Sequence, residues 1–595
     1  MSGIILSSHY IMSADTLVFD MSSASEGSPS VFVRKDWLSI LDNQNRNYQG
    51  NQCIIDTSQL ANSNKYMSYR EAYLFIPMVL TLTSDKAMPT GANALGYAVG
   101  LKNWFGSIIH SFSLDYNGTT IVQQTPFISM WNCFKLMSSL SYDDILTQGP
   151  TIGFYPDVAL GVGFTAATNE SGKSTVNNFT SSLDAITMAA VTDPEAQQAP
   201  SPARGNIGNV GLTKRTQYWN FNPLALAPNT ATAYTSMVGL AAGQQVANLN
   251  YLWKSYMYLA NAQTYQFGIS AQVYLKHLHN FFERVPILKG VFMKLILNLN
   301  QTSTSVAVTV GADPFPITLV SCNGVNSPLG GVSPIMIASG AVGSGLGGLN
   351  GTAGVVNLVA SIAVGGACLN TAQAGTQISP VGGGSIQLVL PSYTFNPVFE
   401  TSYLSSPVKK VIYEDVYQYT VSNVAATSPF TYLITNGIAN VKSVLVLPYY
   451  SASQNSVGGA TTCPPFQSPF DPAGCGPTSP FCLFTNFNIQ VSGQNAIYNV
   501  ERYSWEQYSN QLYGQFSVNG GMTDGLTSGL VSKQDFETEY CYYYVNVGRM
   551  LPIEEAVPKA INLIGTSLSA LPLDLYVFIS YGVEVSIDIL SGARV

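Results

Sequence analysis

The chain has 595 residues, enough for two to four domains, and only 10% of them are charged, against roughly 25% in an ordinary soluble domain. A net charge of −8 and the lack of any run of Lys or Arg argue against binding of nucleic acid through a basic tail. Hydrophobic residues reach 46%, and frequent Tyr, Gly and Pro are typical of short strands joined by turns. So little charge favours a surface that faces other protein, with an uncharged adhesin-like surface as the alternative.

Residues 1–50 are predicted to form an extended amino-terminal arm with one strand at 16–19. The first residues lack the basic start and apolar run of a signal peptide, so we expect no secretion. The longest apolar stretch, 353–369, is interrupted by Gly and Asn, so we expect no membrane-spanning helix.

A β-hairpin is predicted at 112–122, where apolar and polar residues alternate and Asn117-Gly118 supplies the two positive φ angles of a type I′ turn. An amphipathic helix is predicted at 127–137, because apolar residues recur there at three- and four-residue spacing. Earlier in the chain, 73–83 is a strand that is apolar on both faces, and its Pro77 indicates a bulge or a sheet edge.

Two long insertions are predicted, near 151–215 and near 311–385. The first is rich in Ala, Asn, Ser, Thr and Gly and has little periodicity. The second lies in a stretch, 314–399, that has no Asp, Glu, Lys, Arg or His and favours a compact loop buried between subunits over a lipid contact. Strands at 264–274 and 291–299 and a short helix at 277–284 are predicted between the insertions.

The second half of the chain repeats the pattern of the first. Residues 487–497 align without a gap with 112–122, so that Gly493 of a Ser492-Gly493 turn matches Gly118. A helix-like run with apolar residues on one face follows this second hairpin too. Further strands are predicted at 411–421, 441–450, 573–580 and 583–590. The sequence therefore predicts one β module used twice.

Residues 167–174 fit a relaxed phosphate-binding loop, with Gly172, Lys173 and Ser174 in the expected places. The residues that follow are poor helix formers, and no alternating strand–helix pattern surrounds them. Since the mechanism needs a helix amino terminus at the phosphate, a chance match is the favoured interpretation.

Cys463, Cys475 and Cys482 lie in a loop rich in Pro and Gly. Zinc ligands usually come in pairs two to four residues apart, and no histidine lies nearby, so a zinc site is not predicted. A disulfide and unpaired thiols both remain open, with unpaired thiols favoured. The five other cysteines are scattered, which fits buried thiols in a reducing cytoplasm.

His277 and His279 are predicted to be structural, because at this spacing they do not share a helix face. The acidic pairs at 143–144 and 554–555 are typical of helix starts or solvated turns. We predict no catalytic, cofactor-binding or metal-ligating residue, no cofactor and no enzyme activity.

A duplicated, aromatic-rich and charge-poor β module with long insertions resembles the double jelly-roll major capsid proteins of tailless double-stranded DNA viruses, those of Sputnik-type virophages most of all. The stretches that carry the resemblance are 393–399, Lys409-Lys410, 413–421, 563–576 and 581–592. The resemblance implies an all-β dominated fold of two tandem eight-stranded jelly-roll sandwiches with short helices and long loop insertions. The first jelly roll would span 51–410 and the second 411–595.

The resemblance also implies a function. Such proteins form homotrimeric, pseudo-hexagonal capsomers that tile an icosahedral shell, with the amino-terminal arm inside. The implied partners are other copies of the chain, neighbouring capsomers, a penton (minor capsid) protein and a possible internal lipid layer, without sequence-specific binding of nucleic acid. The implied location is the virion, assembled in the host cytoplasm. The alternatives are a β-sandwich adhesin or glycan-binding surface protein and a phosphate-loop NTPase.

Overall fold

The computed structural model describes, apart from short gaps, residues 30–86, 97–157, 258–310, 317–324, 332–339, 354–365, 384–451, 482–517, 529–548 and 557–589, with short pieces at 211–218 and 456–479. The predicted strand at 16–19 lies outside these residues, as do most of the first insertion and parts of the second. No helix in the described ranges is long and apolar enough to cross a membrane.

The first half of the chain contributes seventeen of the described strands and four helices. The strands are β1 Phe32–Leu41, β2 Gln52–Asp56, β3 Tyr66–Met67, β4 Tyr73–Ser84, β5 Tyr97–Leu101, β6 Ile109–Tyr116, β7 Thr119–Val122, β8 Gln217–Tyr218, β9 Tyr258–Asn261, β10 Thr264–Tyr274, β11 Leu288–Lys289, β12 Met293–Leu299, β13 Thr302–Val310, β14 Ile317–Gly324, β15 Ile335–Ser339, β16 Gly354–Val364 and β17 Gln387–Phe395. The helices are α1 Ile128–Ser139, α2 Tyr142–Ile152, α3 Leu275–Leu278 and α4 Asn280–Arg284.

The second half follows a linking helix, α5 Pro397–Leu404. Its strands are β18 Val408–Val424, β19 Pro429–Ile438, β20 Val441–Tyr450, β21 Ser456–Val457, β22 Thr461–Thr462, β23 Phe484–Val491, β24 Gln494–Asn495, β25 Tyr543–Asn546, β26 Lys559–Ser567 and β27 Leu573–Asp588. Its helices are α6 Trp505–Ser517 and α7 Lys533–Thr538.

Both halves have the same strand order. In the first half, one sheet contains the row β1-β17-β4-β10 and the other is β2-β12-β6-β7. In the second half, the two four-stranded sheets are β18-β27-β20-β25 and β19-β26-β23-β24. Each strand of these two rows has a counterpart at the same position in the other half, and the order is that of an eight-stranded jelly roll. The predicted all-β fold of two jelly rolls is confirmed.

Alternating side chains hold each sandwich together. The residues of β12 and of β26 are buried at every second position, so that Leu295, Leu297, Ile561 and Leu563 face the core. Burying one such side chain stabilises the folded state by about 1.5–3 kcal/mol. Each of these strands therefore has one core-facing side and one more exposed side, as the alternation of apolar and polar residues in its sequence predicts.

The two matched hairpins turn in the same way. Asn117 and Gly118 have φ of 45° and 80°, and Ser492 and Gly493 have φ of 50° and 83°. Both turns connect their strands through two residues, with Tyr116 paired to Thr119 in the first hairpin. The predicted hairpins are confirmed, and only glycine adopts such φ values without steric cost.

Replacing Gly493 with alanine should lower the free energy of unfolding by about 1–2 kcal/mol, because the left-handed conformation is strained for any residue with a Cβ. A Cβ at Gly493 would meet no atom within 4 Å, so the cost is conformational. Gly437→Ala is the matched control, since its Cβ also has open space and its φ is not positive. Denaturant unfolding checks this, and equal costs at the two positions would contradict it.

Strand β1 lies within the segment 1–50, for which we expected an arm. It runs antiparallel to β17 and forms the edge of the first sheet. Its core-facing Ile40 is 2% exposed, whereas Trp37 and Leu41 are more than half exposed on the other face. The strand is hard to recognise from the sequence because it has apolar residues on both faces and a charged run at 34–36, which hide its alternation.

The second insertion contributes strands β14 and β16 to the sheet and β15 to a smaller one, which corrects the expectation of a loop there. Strand β16 pairs with β13 on one side and with β4 on the other. Leu358, Ala360 and Ile362 are buried at alternate positions. The segment therefore lacks charge over 354–364 because it lies inside a sheet, and not because it is a loop between subunits.

Pro77 lies neither at a bulge nor at an edge, contrary to the prediction. Strand β4 has β10 along one side in unbroken register. On its other side, the pairing with β17 ends at Phe75 and the pairing with β16 begins at Met78. Pro77 occupies this gap, where its missing N–H removes no ladder hydrogen bond.

Candidate functional site: the contact between the two jelly rolls

The sequence-predicted sites are not brought together. The phosphate-loop pattern at 167–174, Cys463, Cys475 and the pair 554–555 lie outside the described residues, and Cys482 is buried. Among the residues that the structure describes, no three His, Cys, Asp or Glu side chains are grouped to hold a metal ion. The largest built feature is instead the contact between the two jelly rolls.

The acidic pair at 143–144 begins a helix, as predicted. The Ser141 hydroxyl accepts a hydrogen bond from the backbone N–H of Asp144, and a carboxylate oxygen of Asp144 accepts one from the N–H of Ser141, 2.9 Å away. The hydrogen bonds that the N–H and the hydroxyl of Ser141 donate to the carboxylate lower the pKa of the Asp144 carboxyl. The pair therefore caps α2.

Helix α1 of the first jelly roll packs on the outer face of a sheet of the second. The rings of Phe134 and Tyr544 are stacked with centroids 5.4 Å apart. The ring centroid of Trp131 lies 6.2 Å from that of Phe578 in β27. At the amino-terminal end of the helix, the rings of Phe127 and Tyr576 pack edge-to-face with their centroids 5.1 Å apart. Aromatic pairs of this kind contribute about 0.5–1.5 kcal/mol each beyond the area that they bury.

Backbone-directed hydrogen bonds fix the register of this contact. The hydroxyl of Thr125, just before α1, donates to the carbonyl of Val416 in β18 at 2.7 Å. In the opposite direction, the Tyr413 hydroxyl donates to the carbonyl of Ile121 at 2.9 Å. Both bonds are buried, so each protects a polar group that would otherwise be unsatisfied.

His279 joins the two jelly rolls through Asp415. The helix predicted at 277–284 is in fact two short helices, α3 and α4, and His279 separates them. Its Nδ1 accepts from the N–H of Phe281 at 3.2 Å, so its proton is on Nε2, which lies 3.2 Å from Asp415 Oδ1. The other carboxylate oxygen of Asp415 accepts from the Tyr581 hydroxyl. Both side chains of the His279–Asp415 pair are at most 5% exposed.

A buried ion pair lies beside this contact. Arg215 and Asp157 are bonded through Nη2 and Oδ1, and their side chains are 1% and 0% exposed. Asp157 Oδ2 accepts from the backbone N–H of Asn103 at 2.8 Å. The hydroxyl of Tyr540, from the second jelly roll, donates to the carbonyl of Asp157. Arg215 is thus bonded to Asp157, and Asp157 in turn is bonded to the second jelly roll through Tyr540.

The equivalent face of the first jelly roll has no such helix on it among the described residues. This face, which we call the open face, consists of the outward side chains Trp37, Leu41, Tyr73, Phe75 and Val389. Trp37 and Leu41 are 53% and 56% exposed. On β27 of the second jelly roll, the counterpart of β17, Phe578 is completely buried, whereas Val389 on β17 is half-buried.

Sequence reasoning missed the contact because its members are far apart in the chain. His279 and Asp415 are separated by 136 residues. A local signal did exist: buried aromatics in β25 alternate between the two faces, with Tyr543 on Phe484 inside the sandwich and Tyr544 on Phe134 outside it. A strand that is aromatic on both faces must be covered on both.

Comparison with protein families finds no family model that matches the chain. No curated protein matches it either. Among solved structures, the chain is similar to a chain of the Sputnik virophage structure, with a TM-score of 0.46 and 10% identity over 96% of this chain and 89% of that one. It is similar to the mavirus major capsid protein, with a TM-score of 0.44 and 9% identity over 96% and 92%. For the Faustovirus major capsid protein, the TM-score is 0.39 and the identity 10% over 94% and 91%.

Proposed function

We propose that the protein is a major capsid protein that forms homotrimeric, pseudo-hexagonal capsomers, and that these tile an icosahedral virion shell. The observation that carries the proposal is the contact between the two jelly rolls of one chain. A helix of the first jelly roll covers a sheet of the second, while none of the described helices covers the equivalent sheet of the first in this way.

In such a contact, a helix of one module packs on a sheet of a second, similar module, so the two surfaces that meet are different. Contacts of this kind repeat from one module to the next and close into rings when the rotation allows. Helix α6 follows β24 as α1 follows β7, so it is the counterpart of α1. We infer that α6 of one copy covers the open face of the next copy. Six modules from three copies then form the ring, in line with the sequence resemblance.

The finer parts of the proposal follow from the same resemblance. The first jelly roll, expected over 51–410, is proposed to begin earlier, with β1, because β1 pairs with β17. The amino-terminal arm inside the shell remains part of the proposal. Neighbouring capsomers, a penton protein and an internal lipid layer are the proposed partners, and the role is structural and not enzymatic. Assembly in the host cytoplasm and location in the virion complete the proposal.

Trp37→Glu should prevent trimer formation and leave the fold intact. Trp37 is 53% exposed in the single chain but would be covered in the ring, and burying an unpaired carboxylate costs at least about 2 kcal/mol at each contact. Leu433→Glu is the matched control, because Leu433 is 54% exposed on β19, in a different sheet. Sedimentation velocity measures both variants, and a trimer that survives Trp37→Glu would contradict the proposed surface.

Electron microscopy of the purified protein tests the shell itself. We expect hexagonal plates with six lobes, which join into curved or closed shells at high concentration. Particles that stay single and two-lobed at every concentration, and that bind an immobilised glycan, would replace the capsid proposal with the adhesin alternative.

A further inference from the structure

The chain contains four histidines, and three of them belong to the first jelly roll: His110 on β6, His277 in α3 and His279 directly after α3. His279 bonds directly to Asp415. His110, on β6, is edge-on to Phe127 at 5.0 Å, and Phe127 itself packs on Tyr576. The chain thus places titratable rings where its two modules meet.

The surroundings of His110 and His277 favour the neutral imidazole over the protonated one. The Nδ1 atoms of both have no hydrogen-bond partner among the described residues. Burial lowers the pKa of His110 to about 4. Burial, with the nearby charges of Lys276 and Lys135, lowers the pKa of His277 to about 3.

The groups that face these rings offer no compensating charge. Lys135 belongs to α1, which packs on the second jelly roll, and Lys276 belongs to α3. Both ammonium groups repel an imidazolium at His277. On the second jelly roll, the buried carboxylate of Asp415 is bonded to His279 and to the Tyr581 hydroxyl. In the charged ring of His110 or His277, the proton on Nδ1 would therefore be a buried donor without an acceptor among the described residues.

We propose that His110 and His277 make the contact between the two jelly rolls acid-sensitive, so that mild acid loosens the capsomer from within. This inference rests on the proposed function, because it regulates the contact that the ring repeats. As the pH falls from about 6.5 toward 4, a hydrated histidine takes up a proton and the buried one does not. Opening is therefore favoured in this window, and the contact has its full stability above it.

Hydrogen exchange of the full chain, measured at pH 7.5, 6.5, 5.5 and 5.0 and corrected for the intrinsic rate, tests the inference. Carboxyl groups with ordinary pKa values stay charged over most of this range, so proton uptake by the histidines accounts for most of the pH dependence. We expect the opening constant of the peptides around α1 and 413–416 to rise by up to about tenfold per pH unit for each histidine. Peptides of β26, inside the second sandwich, should change much less.

Two variants separate the histidines from general acid effects. His110→Phe/His277→Phe should remove most of the pH dependence of opening at α1. His277→Phe alone should remove part of the dependence, and it remains informative if the double variant fails to fold. The inference is overturned if the wild-type opening constant is constant between pH 7.5 and 5.0, or if the variants keep the wild-type slope. The particle mass of the same samples at pH 7.5 tests the trimer separately.

Discussion

Phe134→Ala is expected to lower the free energy of unfolding by about 3–5 kcal/mol and to uncouple the two jelly rolls. The Phe134 side chain is 3% exposed, and its ring lies 5.4 Å from Tyr544 and 5.2 Å from Tyr542 of the second jelly roll. Truncation removes these contacts and leaves a cavity between the modules. Calorimetry should then show two separate transitions in place of a single one.

Phe484→Ala is the matched control for this prediction. Phe484 is 1% exposed, and it packs on Tyr543 and Phe487 inside the second sandwich. Its loss should cost a similar free energy but destabilise only the second jelly roll, without exposing α1 to proteolysis. If both variants expose α1 equally, or if Phe134→Ala costs less than about 1 kcal/mol, the helix does not hold the modules together.

Asp157→Ala is expected to cost about 3–5 kcal/mol, because it leaves the buried guanidinium of Arg215 without a counter-charge. The Arg215 side chain is only 1% exposed, so water cannot replace the lost carboxylate. The variant also removes the acceptor for the Asn103 N–H. Denaturant unfolding gives the free energy, and exchange at α2 and β5 reports whether the first insertion has come loose.

Two controls test the explanation of the Asp157 effect. Glu506→Ala removes an exposed pair with Lys533 and should change the stability little, since water replaces such contacts. Asp157→Leu/Arg215→Met removes both charges, so it should lose less than the two single variants together. If the double variant loses as much free energy of unfolding as the two single variants together, the ion pair is not the reason for the loss.

The features that the sequence predicted are those that short segments determine. The Asn117-Gly118 turn needs positive φ values that few residues adopt, so its place is readable without knowing its partners. The same holds for the capping pair at the start of α2. The internal alignment of Gly118 with Gly493 then revealed two modules, which the shared strand order confirms.

The features that the sequence did not predict depend on distant partners. Strand β16 is recognisable as a central strand only once β4 and β13 flank it. Helix α1 carries an apolar stripe, but its remaining surface is also buried because the second jelly roll covers it. His279 could not be linked to Asp415 by spacing, since the pairing requires both modules to be folded and docked.

Native mass spectrometry of the purified chain tests the central claim most directly. The single chain has a mass of 63.8 kDa, so a ring of three copies and six jelly rolls has a mass of about 191 kDa. The account predicts this species as the smallest stable particle at neutral pH, and its loss with Trp37→Glu. A protein that remains a 63.8 kDa monomer at every concentration, with the open face uncovered, would contradict it.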